Sequence, residues 1–421
     1  ALLAGVPLVL LWRTRVSSAP PLRQAARNLV SLLVAMAVVV AVVIGLFADL
    51  SATMRNHKSL RYLINPLNSF YALGSLAVQG QARPAGPPLA IGADATVLPR
   101  PAGAKPPLLL LVIGETARAD HFALNGYPRP TNAALAQRQV VSFTQVTSCG
   151  TSTAASLPCM FSHLGRAGFG ARKQDQENLL DLLQRAGLAV LWLDNQAGCK
   201  GLCARVPHAM AGDPPGGDVA LLNGLCEADG ECMDEALLRG LDRRLAALDP
   251  ARRAKGTVIV LHQMGSHGPA YYKRSPADRK PFTPECTTNV LQQCGHQALI
   301  NAYDNSIAYT DQVLGQAIDW LRTQAADQEP MLLYVSDHGE SLGENNLYLH
   351  GLPYAVAPRE QTHVPMVAWV PPQRRLAACL QSQRDAALSH DQLFHTVLGL
   401  VGVRAAEYRP GWDLSAACAG R

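Results

Sequence analysis

Residues 29–47 (LVSLLVAMAVVVAVVIGLF) run for 19 positions without a charge, and nothing else in the chain narrows its fold so sharply. The hydrocarbon core of a bilayer takes about 20 apolar residues of helix. A soluble helix this uniform would need burial on every side, and a signal peptide has a shorter apolar region followed by small residues. The run therefore reads as a transmembrane helix over residues 29–48. Residues 1–12 are also apolar but too short to span, and are expected to be the end of a truncated membrane helix.

Between the two apolar stretches stand Arg13, Arg15, Arg23 and Arg27 with no acidic residue. The positive-inside rule puts this loop, residues 13–28, in the cytoplasm and everything after the helix outside. All ten cysteines lie between Cys149 and Cys418, as suits an oxidising compartment. Their spacing suggests neighbour pairing: Cys149 with Cys159, Cys199 with Cys203, Cys226 with Cys232, Cys286 with Cys294, and by remainder Cys379 with Cys418. Cys199 and Cys203 also have a zinc-like spacing, but no second close pair completes a set of four ligands. The net charge of +5 is modest and Lys and Arg form no long tracts, which argues against a nucleic-acid partner. It suits an anionic lipid surface, and the chain is expected to act as a monomer at the membrane.

Residues 60–78 are amphipathic and aromatic, with Pro66 inside. They read either as a packing element or as a surface helix offering Asn65, Asn68 and Tyr71 to lipid. Residues 79–107 are rich in Pro, Gly and Ala and read as a linker. The expected organisation is thus a membrane part (1–50), a juxtamembrane segment and linker (51–107) and a catalytic domain (108–421). In that domain strand-like runs (108–114, 188–193, 257–262, 331–336, 366–370) alternate with helical patterns (178–186, 231–248, 297–323, 391–400). This is the pattern of an α/β fold, a mostly parallel sheet sandwiched by helices.

Two of these strands end in chemistry. Glu115 directly follows the first, and Asp337-His338 the fourth; residues just past the carboxyl ends of strands line the ligand crevice of an open α/β sheet. Thr153, in Cys149-Gly-Thr-Ser-Thr153, stands where a turn opens a helix, and helix N-termini favour anions such as phosphate. Each residue alone has a plainer reading, as a cap, a turn or a structural hydroxyl. Together, two acids, an imidazole and a hydroxyl suit zinc with an open position, and bound metal would activate Thr153 as a nucleophile. His267, in His262-Gln-Met-Gly-Ser-His267-Gly-Pro, and His350 are candidates for substrate phosphate, acid–base work or a second metal. His262 reads as a buried polar support.

Four motifs in order carry a resemblance: Gly114-Glu-Thr-Ala-Arg-Ala-Asp120, Ser148-Cys-Gly-Thr-Ser-Thr153 with Pro158-Cys-Met-Phe161, residues 262–269, and Ser336-Asp-His-Gly-Glu-Ser-Leu-Gly-Glu344. With Asn65-Pro66 upstream, the chain resembles the lipid A phosphoethanolamine transferases and mobile colistin-resistance enzymes of the alkaline-phosphatase/sulfatase-like superfamily. The resemblance implies one tightly bound zinc ion on Glu115, Thr153, Asp337 and His338, with room for a second. It implies Thr153 as the residue that carries phosphoethanolamine, substrate-side or second-metal roles for His267 and His350, and headgroup contacts for Lys200 and Asn65. The implied reaction takes phosphoethanolamine from phosphatidylethanolamine and hands it from Thr153 to a lipid A phosphate, lowering surface charge and with it attraction for cationic peptides such as polymyxin and colistin. The alternatives are transfer to core oligosaccharide or a periplasmic glucan, or phosphoglycerol transfer.

Overall fold

A computed structural model describes residues 20–46, 63, 68–70, 72–74, 86–227 and 230–418. Two compact units, Ala1–Ser69 and Phe70–Arg421, divide the chain. The expected partial helix at residues 1–12, most of the 60–78 segment and Asn65 lie outside the described residues.

In the first unit, helix α1 (Pro21–Gly45) is long and apolar enough to cross a membrane, and its apolar side chains from Leu29 to Val42, and Ile44, are exposed. It begins eight residues before the uncharged run, so Arg23 and Arg27 ride on its first two turns rather than in a loop. The reason is local: Pro21 is preorganised for the first helical position and nothing from Leu22 to Asn28 breaks a helix. The charge pattern marked the apolar length of this helix, not its start.

The second unit is built on a seven-stranded sheet. Its strands are β1 (Pro107–Gly114), β2 (Val141–Phe143), β3 (Ala189–Asp194), β4 (His208–Met210), β5 (Thr257–His262), β6 (Glu329–Ser336) and, after a small hairpin of β7 (Ser341–Leu342) and β8 (Tyr348–Leu349), β9 (Met366–Trp369). The spatial order is β2-β9-β6-β1-β5-β3-β4, with β9 antiparallel to both neighbours and the other pairings parallel. The expected mostly parallel sheet is present. The edge strands β2 and β4, three residues each, carry too short an apolar pattern to be read beforehand.

Central strand β1 is buried at every position, as a parallel strand covered on both faces requires. Leu109, Leu111 and Ile113 enter one core layer and Leu108, Leu110 and Val112 the other. Helices α2 (Thr153–Met160), α3 (Leu179–Arg185) and α6 (Asp391–Leu400) contribute to the first layer; α5 (His296–Thr323) covers the second. The helix expected over 231–248 is instead a 3-10 turn, Asp234–Leu238, followed by α4 (Leu241–Ala247). Gly240 separates them at φ +70°, a left-handed conformation that ends a helical path. The ten cysteines form the five expected disulfides, Cys379–Cys418 included.

Candidate metal centre at the carboxyl edge of the sheet

Strand register brings the chemistry to one edge. Ile113 lies opposite Val335 on one side and His262 on the other, and Gly114 lies opposite Ser336. Glu115 and Asp337 therefore leave the sheet at the same height, with Gln263 one position before them. All of Glu115, Asp337 and His338 are fully buried. Close packing fixes the turns around them: a Cβ on Gly339 would stand 2.0 Å from the Glu360 carbonyl oxygen, and one on Gly265 would stand 2.7 Å from that of Glu115. Only glycine fits where backbones approach this closely.

Thr153 opens α2, the first residue after the extended cap Ser152. Its hydroxyl donates to Glu115 Oε2 at 2.8 Å and stands 3.4 Å from His338 Nε2. His338 Nε2 is 3.3 Å from Glu115 Oε1 and 3.5 Å from Asp337 Oδ2. The four residues expected to converge do so.

Their electrostatics show what the cluster is suited to hold. Burial alone would raise the Glu115 carboxyl, but the His338 imidazole outweighs it and holds the group well below its usual range. Asp337 goes the other way, pushed up to about 6 by burial and by the Glu115 charge. Burial disfavours a charged His338, yet the two carboxylates overcome it and lift the imidazole to about 10. Two buried carboxylates demand a positive charge, and without a metal a proton on His338 supplies it. A divalent cation would meet the same demand. Asp337 Oδ2 is buried with no hydrogen-bond partner among the described residues, while Oδ1 accepts from the amides of Thr116 and His338. His338 Nδ1 lies 2.9 Å from the Gly339 carbonyl. Donation there leaves the Nε2 lone pair facing the carboxylates, the arrangement that orients ligating histidines. Two carboxylates, an imidazole and a hydroxyl fit a metal ion.

His350 joins the group. One ligand atom each from Glu115, His338 and His350 lie within 4.8 Å of one another, a triad able to hold a metal. The His350 ring centroid is 4.2 Å from that of His338, and its Nδ1 is 3.3 Å from Glu340 Oε2. His267 stands further out, 6.2 Å from His350 between ring centroids, with its pKa lowered chiefly by burial. Lys200 is not brought to the cluster. Its ammonium donates to the Ala197 carbonyl, and it lines a cleft of about 360 Å³ with Pro158, Ser162, Asn178 and Arg205, none of the four central residues among its walls.

Several supporting residues escaped the sequence. His390 Nδ1 accepts from the Cys149 amide at 3.0 Å, and its Nε2 donates to the Ser336 carbonyl at 2.9 Å, joining the turn before α2 to the end of β6. Ser156, one turn into α2, donates to the Asp337 carbonyl. Asp234 accepts from Asn195 Nδ2 and from the amides of Met264 and Gly265, fixing the loop that leads to His267. None lies in a recognisable motif with a chemical role, so only geometry reveals them. His262 pairs with Asp194 at 3.2 Å, the buried support expected of it.

A parallel sheet with an acid–imidazole–threonine cluster at its carboxyl edge defines the alkaline-phosphatase/sulfatase-like class. The Sulfatase family model matches residues 107–403, and that of the phosphoethanolamine transferases EptA and EptB matches residues 1–80. The chain belongs to the phosphoethanolamine transferase family. It is 43% identical to phosphoethanolamine transferase EptA of Salmonella typhimurium, over 99% of this chain and 76% of that protein. It is 44% identical to phosphatidylethanolamine transferase Mcr-1 of Escherichia coli, over 83% of this chain and 64% of that protein. The integral membrane lipooligosaccharide phosphoethanolamine transferase A of Neisseria meningitidis superposes with a TM-score of 0.76 at 38% identity, over 98% of this chain and 76% of that one.

Proposed function

We propose that this chain transfers phosphoethanolamine from phosphatidylethanolamine to a lipid A phosphate through a covalent adduct on Thr153. The observation that carries the reading is the Thr153 hydroxyl at a helix N-terminus, 2.8 Å from Glu115 and 3.4 Å from His338. Glu115, Asp337, His338 and the Thr153 oxygen would hold a zinc ion, and His350 stands near enough to share in a second. When bound, zinc lowers the pKa of a coordinated hydroxyl and draws charge from phosphoryl oxygens.

In the first half, the Thr153 hydroxyl, aimed by its hydrogen bond to Glu115 Oε2, releases its proton to solvent and its oxygen attacks phosphorus. The bond to the glycerol oxygen breaks and diacylglycerol leaves with a proton. In the second half, a lipid A phosphate oxygen attacks the same phosphorus and Thr153 departs, regaining its proton. His267 and His350 face this step as proton donors to the leaving oxygens, a role suited to imidazoles. Names carried by relatives at 43 and 44% identity, phosphoethanolamine and phosphatidylethanolamine transferase, support the ethanolamine donor over phosphatidylglycerol. The name lipooligosaccharide phosphoethanolamine transferase, borne by a neighbour at 38%, supports a lipooligosaccharide acceptor, of which lipid A is the phosphate-bearing anchor.

We further infer that residues 108–421 work in the periplasm, anchored to the inner membrane by α1. Five disulfides favour an oxidising compartment, and Arg23 and Arg27 at the start of α1 favour a cytoplasmic N-terminal end. Capping lipid A phosphates would reduce surface charge and weaken attraction for polymyxin and colistin. The test is to incubate the chain with phosphatidylethanolamine alone, map the Thr153 peptide by mass spectrometry and assay diacylglycerol. A phosphoethanolamine mass on Thr153, absent in Thr153→Ala, is expected. Diacylglycerol release at the parent rate in Thr153→Ala would remove the nucleophile assignment.

A further inference from the structure

Arg118 and Glu344 sit in two of the chain's most specific motifs and have no part in the chemistry above. Arg118 is buried, and its guanidinium is committed on every side. Nε and Nη2 donate to the two oxygens of Asp120 at 2.9 and 2.7 Å, while Nη1 donates to Glu344 Oε1 at 2.5 Å and to the Glu340 carbonyl at 3.2 Å. Its backbone amide donates to the Tyr303 hydroxyl, which donates in turn to the Thr116 carbonyl. Arg118 is thereby fixed to the strand end that carries Glu115.

Glu344 belongs to the other side of the site. It lies in the turn of the β7–β8 hairpin, where its Oε2 accepts from the Leu342 amide at 2.7 Å. The hairpin pairs Leu342 with Tyr348 and Ser341 with Leu349, and so delivers His350 beside His338. Its backbone is strained. Asn345, Asn346 and Leu349 have φ of +51°, +59° and +66°. A leucine in the left-handed region is a true outlier that persists only where surrounding bonds dictate it. Leu349 immediately precedes His350, so relaxation of that residue would swing the imidazole.

We propose that Arg118, acting through Glu344, is a positioning residue that holds this hairpin in the strained form in which His350 faces Glu115 and His338. A guanidinium suits the task because it stays charged at any working pH and offers several donors in fixed directions. Lysine could not reach two carboxylates and a carbonyl at once. The inference rests on the transferase reading for one of its two readouts only.

Glu344 is the better residue to vary, being partly exposed where Arg118 is buried. A glutamine offers one side-chain oxygen where Glu344 uses two, so Glu344→Gln must release either Arg118 or Leu342. In the full chain, amide exchange across residues 347–351 is expected to rise about tenfold or more, with residues 111–116 unchanged. Turnover is expected to fall about tenfold, with KM for phosphatidylethanolamine within about twofold of the parent. In a His350→Ala background the same substitution is expected to cost less than about twofold, because the group it positions is gone. Arg118→Lys is expected to repeat the pattern. Unchanged exchange at residues 347–351 would overturn the proposal, and so would exchange raised equally in both segments or an equal loss of turnover in both backgrounds. If the parent chain transfers nothing, the transferase reading falls alone and the exchange comparison still decides the clamp.

Discussion

Glu115, Asp337 and His338 sit on the ends of central strands, whereas His267 and His350 sit on loops. The first group is fully buried and locked by the register of β1, β5 and β6. The second is partly exposed, and His350 follows a leucine held in left-handed backbone. The difference follows from what each must do. Two carboxylates that repel each other stay together only on elements too stiff to move apart, and a sheet supplies that stiffness. Groups that meet a bulky lipid need reach and adjustment, which loops on a rigid scaffold provide.

The most severe way to break this contrast is at the strand ends. Asp337→Asn keeps shape but removes a charge from the cluster. Outer-shell partners of metal ligands typically cost 10–100-fold when lost, so turnover should fall by at least about 100-fold, with metal lost on dialysis. Metal-free Asp337→Asn should also melt at a higher temperature than the metal-free parent at pH 7. Asp337 is pushed up to about 6 by burial and the neighbouring Glu115 charge, so its ionised form destabilises the fold above that pH. A variant that keeps both metal and turnover would dismiss the strand-end assignment. The loop group should respond less: His350→Ala should lower turnover by about 10²-fold, the lower end of general acid–base effects, while metal bound per chain stays near the parent's. Metal lost in parallel with activity would place His350 with the strand-end residues instead, and erase the distinction.

The same contrast explains what could be read from the sequence. Continuous apolar runs such as residues 108–113 announce strands buried on both faces, and the residue after such a run must lie at the sheet edge, so Glu115, Asp337 and His338 were legible. Thr153 was legible from the turn that opens its helix. The hairpin that presents His350 was not, because strands of two residues leave no periodicity and left-handed Asn345, Asn346 and Leu349 follow from tertiary bonds. The break at Gly240 was missed because the apolar spacing of residues 231–248 continues across it. His390 carries no local signal at all: its partners Cys149, Ser156 and Ser336 lie more than 50 residues away in sequence.

His390 also gives the finest test of how the strand ends are held. Its imidazole is lowered to about 4, first by burial. Geometry adds a second reason, since protonating Nδ1 would set an N–H against the Cys149 amide that now donates to it. The unfolded chain binds this proton near pH 6.5 and the folded chain only near 4, so the unfolded state holds more protons between those values. Stability is therefore whole above about pH 6.5 and lost as pH falls toward 4, by at most about 3 kcal/mol for a shift of this size. Thermal melts of the full chain from pH 7 to 4.5 carry this decline set against an opposite slope from Asp311 and Asp337, whose buried carboxyls are pushed up to about 6 and take up protons more readily in the folded state. His395, also lowered to about 4, adds a slope of the same sign, so the informative quantity is the difference made by His390→Gln. That variant should melt lower than the parent at pH 7, having lost a fitted imidazole between α2 and β6, yet decline less steeply on acidification. An equal slope in both proteins would mean that His390 takes up no proton on unfolding in this range, and that the link between the turn before α2 and the strand end is insensitive to pH.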